Sequence, residues 1–90
     1  MEFEYDPNKS ASNLRKHGID FDCAQRLWDA QTVEVPCRGD FGEARFAVFG
    51  LIGRKHWTAI VTYRGEAIRI ISVRRSRKKE AAYYDEKTGC

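Results

Sequence analysis

The chain has 90 residues, 42% hydrophobic and 32% charged. That is enough for one small core and too few for a two-domain dinucleotide enzyme or a barrel enzyme of about 250 residues. With 12% aromatic residues and only two prolines, its composition is not that of a disordered chain. The net charge of +3 conceals an asymmetry: residues 1–50 carry six cations against nine acids, and residues 51–90 carry ten cations against four acids. Six of the cations fall between Arg69 and Lys79 with no acid among them. Such a concentration points to a polyanion, of which nucleic acid is the commonest, with a solvated basic helix face as the plain alternative.

The alternation Glu2-Phe3-Glu4-Tyr5 predicts a short strand with Phe3 and Tyr5 inward. Asp6-Pro7 then supplies a cap and a first helical residue, so a helix is expected over Pro7–His17, stopped by Gly18 and docked through a thin stripe of Ala11 and Leu14. Asp20 caps a second helix over Phe21–Ala30, whose stripe is Phe21, Cys23, Ala24, Leu27 and Trp28. Thr32–Val35 reads as a short strand ended or held at an edge by Pro36, and Cys37 to Gly42 as a turn region. Three strands follow: Ala44–Ile52 with Gly50 as a candidate bulge, Trp57–Tyr63, and Ala67–Val73, which is apolar enough to be central. Ser76 is the expected cap of a final helix, Arg77–Lys87. The order β-α-α-β-β-β-β-α, with tight turns between the last strands, gives a single α+β domain over residues 1–90: an antiparallel sheet meander with helices packed on it.

The cysteines, Cys23, Cys37 and Cys90, are odd in number, form no CxxC pair and lie at no zinc-ligand spacing from His17 or His56. No disulfide framework, metal or cofactor is expected. The acidic start Met1-Glu2-Phe3-Glu4 is not a signal peptide, and the longest apolar run, Phe46–Ile52, is too short to span a membrane. A soluble cytoplasmic protein is the expectation, with no membrane partner.

Cleaving an RNA phosphodiester without metal needs a base for the 2′-hydroxyl, an acid for the leaving 5′-oxygen and cations for the charge on phosphorus. His17, Glu43, Glu80, Tyr83 and Tyr84 are the candidates for proton transfer, and Lys16, Arg45, Arg69, Arg74, Arg75 and Arg77 for charge. Uninterrupted alternation places Arg69, Ile71 and Val73 on one face of the last strand and Ile68, Ile70, Ser72 and Arg74 on the other. An arginine in so apolar a strand needs a partner, for which Glu43 or Glu80 would serve Arg69. Arg74 and Arg75 leave the strand just before a helix N-terminus, where an anion is favoured. Arg77, Lys78 and Lys79 extend this basic run. His17 can act near neutral pH, or it can simply complement the end of its helix; His56, in a turn beside Trp57, reads as exposed. There is no phosphate-binding P-loop, GxGxxG, GxSxG or HExxH pattern.

Four stretches together resemble the BrnT toxins, RelE-like ribonucleases of bacterial type II toxin–antitoxin systems. They are Phe3-Glu4-Tyr5-Asp6-Pro7 with Lys9; Asn13-x-x-Lys16-His17-Gly18-Ile19 with Phe21; Gly42-Glu43-x-Arg45; and Arg69-Ile70-Ile71-Ser72-Val73-Arg74, followed by Glu80 and Tyr84. The likeness spans about residues 2–86. Val73 stands where the family usually has Ala, and Ala81-Ala82 is less basic than many members show there. The resemblance implies a RelE-like fold and a metal-independent RNA endonuclease that arrests translation. It further implies neutralisation by a ribbon-helix-helix antitoxin, through which the complex contacts DNA. Carried over by position, it implies a catalytic set of His17, Arg45, Arg69, Arg74 and Tyr84 and leaves the general acid and base unassigned; the basic residues Lys16, Arg75, Arg77, Lys78 and Lys79 are the candidates for binding RNA. The rival reading is a non-catalytic nucleic-acid- or antitoxin-binding module of the same fold.

Overall fold

The computed structural model describes residues 1–89; Cys90 lies outside the described residues. The chain runs β1 (Glu2–Glu4), α1 (Pro7–His17), α2 (Phe21–Ala24) continued by a 3₁₀ turn (Gln25–Asp29), β2 (Val33–Pro36), β3 (Phe46–Ile52), β4 (Lys55–Arg64), β5 (Ala67–Arg75) and α3 (Lys78–Thr88). Local chemistry sets the first helix as expected. Asp6 accepts the Asn8 amide at 2.8 Å, Pro7 occupies the first turn, and Gly18, at φ +77°, ends the helix with its N–H on the Leu14 carbonyl. Asp20 caps α2 through the Cys23 amide at 2.7 Å.

The second helix departs from expectation after Ala24, where it tightens into the 3₁₀ turn. The three-residue repeat stacks Ala24 and Leu27 on the same side, and both are fully buried. Cys23, expected on the buried stripe, is exposed because Phe21, Ala24 and Leu27 take the inward positions.

The five strands form one mixed sheet in the order β1-β5-β4-β3-β2. β2 to β5 are an antiparallel meander, with two-residue turns joining β3 to β4 and β4 to β5. β1 corrects the purely antiparallel expectation, since it pairs parallel to β5 with Glu2 opposite Ala67 and Glu4 opposite Arg69. β5 is therefore interior, between β1 and β4, while β4 is the middle strand. Pro36 closes β2 at the sheet edge, where a missing donor is tolerated. Gly50 makes no bulge: it pairs regularly with Trp57, and a Cβ there would lie 2.9 Å from Leu27 Cδ1. It is the gap that admits Leu27 against the sheet.

One sheet face carries the main core, in which Phe21 and Leu27 pack on Val48, Val61, Ile70 and Val73. Phe3 meets Trp28 edge-on, and Tyr5 meets Phe21, so both are inward-facing as expected. A smaller core on the opposite face joins Ala47 and Phe49 to Tyr84 of α3.

α1 docks through polar residues rather than through Ala11 and Leu14. Leu14 is 49% exposed, whereas Ser10 and Asn13 are buried. The reason lies in the sheet. β1 pairs β5 only as far as Arg69, leaving the backbone of Val73 without a strand on that side. The Asn13 carboxamide replaces one: Nδ2 donates to the Val73 carbonyl at 2.8 Å and Oδ1 accepts the Val73 amide at 3.2 Å. Nδ2 also donates to the Ile19 carbonyl at 2.8 Å, and Ser10 Oγ accepts the Phe21 amide at 2.9 Å. Replacing Asn13 by Ala removes three hydrogen bonds and strands buried backbone groups, so we expect a loss of about 3 kcal/mol. Denaturant unfolding of Asn13→Ala checks this; a loss below about 0.5 kcal/mol, the range of ordinary surface substitutions, would contradict it.

Candidate active site

β5 contains one residue more than its partner requires. Ile60 lies opposite Ser72 and Val61 opposite Ile70, so Ile71 has no counterpart on β4. A bulge of this kind changes the phase of side-chain alternation. Ile68, Ile70 and Val73 consequently share the main core face. Arg69, opposite Thr62, and Arg74, opposite Thr58, share the other face, roughly 15 Å apart along the strand. Regular alternation would have separated these two arginines. α3 packs over β2 and β3 on this face, and beyond it the side chains of Glu4, Arg64 and Arg69 stay partly exposed.

This side holds a chain of alternating charges. Arg45 lies 3.6 Å from Glu43, Glu43 lies 3.9 Å from Arg64, Arg64 lies 3.7 Å from Glu4, and Glu4 lies 3.3 Å from Arg69. Arg69 thus pairs with Glu4, not with Glu43 or Glu80 as expected. Arg45 is positioned by backbone ties: the Thr62 hydroxyl donates to the Ala44 carbonyl at 2.7 Å, and the Cys37 amide donates to the Arg45 carbonyl at 2.9 Å. Its guanidinium stacks 4.4 Å from the Phe41 ring centroid, and its Nε is buried without a hydrogen-bond acceptor. Partly exposed ion pairs of this length are weak, so a phosphate can displace their carboxylates at little cost.

Arg74 belongs to a tighter cluster. Its Nη1 and Nη2 donate to the two Glu80 oxygens at 2.7 and 2.9 Å. Glu80 also accepts the Arg77 amide at 2.8 Å and the Thr58 hydroxyl at 3.1 Å. Arg77 is therefore the cap residue of α3. Ser76, expected in that place, shares a 2.8 Å hydrogen bond with Thr58 instead. The hydrogen bonds from Arg74 hold the Glu80 carboxyl at about 2, against the opposing effect of burial, with help from the Arg77 amide. The same pairing raises Arg74.

The remaining sequence candidates are dispersed. Lys16 and His17 lie in the last turn of α1 and, with Ile71 and Ser72, line a groove of about 380 Å³. Arg75 faces the opposite way from Arg74, over the Trp57 ring at 5.5 Å. Arg77, Lys78 and Lys79 are exposed around the start of α3. Tyr84 is only 3% exposed and donates its hydroxyl to the Gln31 carbonyl at 2.8 Å. Tyr83, 37% exposed, packs edge-on to Phe49. His56, read as an exposed turn residue, is the half-buried second residue of β4, and its Nε2 lies 2.8 Å from Asp85. Arg64 is not among the candidates that the sequence offers, and Glu4 enters there only within the stretch Phe3–Pro7. Arg64 is in phase with Thr58 and Thr62 along β4, and that phase is the signal for its face.

A small α+β sheet bearing paired arginines on an open face defines a protein suited to handling a polyanion. Its family follows from comparison with known proteins: residues 5–80 match the model of BrnT, the ribonuclease toxin of a type II toxin–antitoxin system. The match covers most of the chain, which belongs to the BrnT family and is a ribonuclease toxin of that kind. No curated protein matches the chain. The matched stretch includes Arg45, Arg69, Arg74 and Glu80, and ends before Tyr84. Among the described residues no helix is long and apolar enough to cross a membrane.

Because Glu80 titrates below its ordinary value of 4.5, its contribution to stability is fully present above about pH 4.5 and is lost as pH falls through about 2. Carboxyl NMR should give Glu80 a midpoint near 2, and Glu80→Gln should flatten the stability profile between those limits. A Glu80 midpoint near 4.5 would contradict the Arg74 pairing.

Proposed function

We propose that the open arginine face is where RNA is cut, and that cutting needs no metal. The observation that carries this reading is the continuous network of Arg45, Arg64 and Arg69 on one accessible face. Attack of a 2′-hydroxyl on the adjacent phosphorus builds negative charge on the non-bridging oxygens. Planar guanidiniums, always charged and able to donate two parallel hydrogen bonds, suit that charge. Arg69 and Arg45 take this role, and Arg74, fixed by Glu80, bounds the far end of the face. Glu4 and Glu43 already touch the guanidiniums and are the nearest carboxylates for accepting a proton. Arg77, Lys78 and Lys79 place cations at the positive end of the α3 dipole, an arrangement that disfavours the helix and attracts phosphate.

The fold is of the RelE-like type in this reading, and the toxin acts in the cytoplasm by arresting translation. A ribbon-helix-helix antitoxin neutralises it, and the complex reaches DNA through that partner. Family membership supports an antitoxin partner and an RNA target.

Purified protein should cleave RNA in EDTA, and expression without an antitoxin should stop growth. Arg69→Ala should slow cleavage by about 10²–10³-fold, the usual effect of removing one donor to transition-state charge. Arg74→Ala should slow it too, while also destabilising the start of α3 by leaving Glu80 without its guanidinium partner. RNA that is bound but left intact in EDTA, with no growth arrest, would instead identify a non-catalytic module of the same fold.

A further inference from the structure

We propose that the groove between α1 and the edge of β5 is a second phosphate subsite, which holds the backbone of a nucleotide flanking the one that is cut. This rests on the RNA-cleaving reading of the arginine face and adds a binding site to it. Lys9, Ser12, Asn13 and Lys16 stand at i, i+3, i+4 and i+7 of α1 and form one helix face. With His17, Ile71 and Ser72 they enclose about 380 Å³, and no carboxylate is among the lining residues.

Three structural facts make the opening. β1 stops pairing at Arg69. Asn13 ties the strand again only at Val73. The bulge between them frees Ile71 from the ladder, so the groove gains an apolar floor. Ser72 lines the groove and lies between Arg69 and Arg74 in β5, so the groove adjoins the arginine face.

The charges point to an anion. Lys16 and His17 sit at the end of α1, where the helix dipole favours cations in any case. Lys9 does not: it lies in the first turn, where a cation opposes the dipole, and that turn holds no acidic residue. Among the described residues Lys9, Lys16 and His17 form no ion pair, whereas Arg45, Arg64, Arg69 and Arg74 are each matched by a carboxylate. A phosphate entering the groove displaces nothing, whereas one entering the arginine face must displace Glu4 or Glu43. The groove therefore anchors the strand, and the arginine face receives the scissile phosphate once the strand is held. Ser12 and Ser72 offer hydroxyls to the same backbone, and Ile71 offers a surface for a ribose or base.

The test is binding of a short single-stranded 2′-O-methyl RNA, which cannot supply the attacking hydroxyl, by fluorescence anisotropy at several salt concentrations. Cleavage of ordinary RNA by the wild-type chain is measured beside it. Lys9→Ala/Lys16→Ala removes two phosphate contacts, so the slope of log affinity against log salt should shrink by about 1.4. Between 50 and 200 mM salt, its affinity loss should then be about sevenfold smaller than that of the wild type. Lys55→Ala, at the exposed start of β4, serves as the control for general charge and should keep the wild-type slope. If the wild type cuts RNA and the double variant keeps the wild-type slope and affinity, the groove proposal is overturned and the arginine face stands. If the wild type neither binds nor cuts RNA, both readings fall. Equal slope changes in the double variant and Lys55→Ala would mean diffuse attraction and would overturn the groove as a site.

Discussion

The unpaired residue in β5 is the constraint on which the rest of this molecule depends. A strand of strict alternation cannot bury Ile68, Ile70 and Val73 together and also present Arg69 and Arg74 together. Skipping Ile71 allows both. The apolar set then packs with Phe21 and Ala24 of α2 and Leu27 of the 3₁₀ turn, while the two arginines emerge on the opposite face. The bulge also opens the strand edge beside α1, and the Asn13 carboxamide closes that edge again at Val73. Packing, edge protection and the placement of charge are one solution, not three.

Electrostatics divides the two ends of the face. Arg74 is fixed: Glu80 accepts from it in bidentate fashion and also holds the Arg77 amide, so the same carboxylate anchors the strand exit and starts α3. Arg45, Arg64 and Arg69 are held by longer and more exposed contacts to Glu43 and Glu4. Such pairs keep guanidiniums extended and oriented before a substrate arrives, yet are weak enough for phosphate to replace them. In the proposed reading, binding the developing charge with arginines avoids both the pKa sensitivity of lysine and the need to recruit a cation.

Much of the fold was legible in local chemistry. Asp6-Pro7 and Gly18 set the bounds of α1, and the β-branched runs with intervening glycines located the meander. The parallel pairing of β1 was not legible, because a three-residue strand carries no signal of its partner's direction. Nor was the docking face of α1: Ser10 and Asn13 are ordinary surface types, buried here because the backbone of a neighbouring strand supplies their hydrogen bonds. Gly50 signalled an irregularity, but the requirement is close packing with Leu27, and the bulge lies where no glycine marks it. Arg45, Arg69 and Arg74, expected at the site, come to one sheet face. Their carboxylate partners depended on register across β1, β4 and β5. Tyr84 looked suited to proton transfer, but its apolar ring draws it into the core between α3 and the sheet.

The central claim is that RNA lies on the face that the β5 bulge assembles. Its most direct test follows the Nε–Hε resonances of the arginines by NMR as non-cleavable RNA is added. Arg45, Arg64 and Arg69 should shift together and saturate with the RNA, while Arg26, exposed on the 3₁₀ turn across the sheet, should stay in place. Saturable shifts at Arg26 or Arg75 with none at Arg69 would put the RNA on the opposite face and contradict the account.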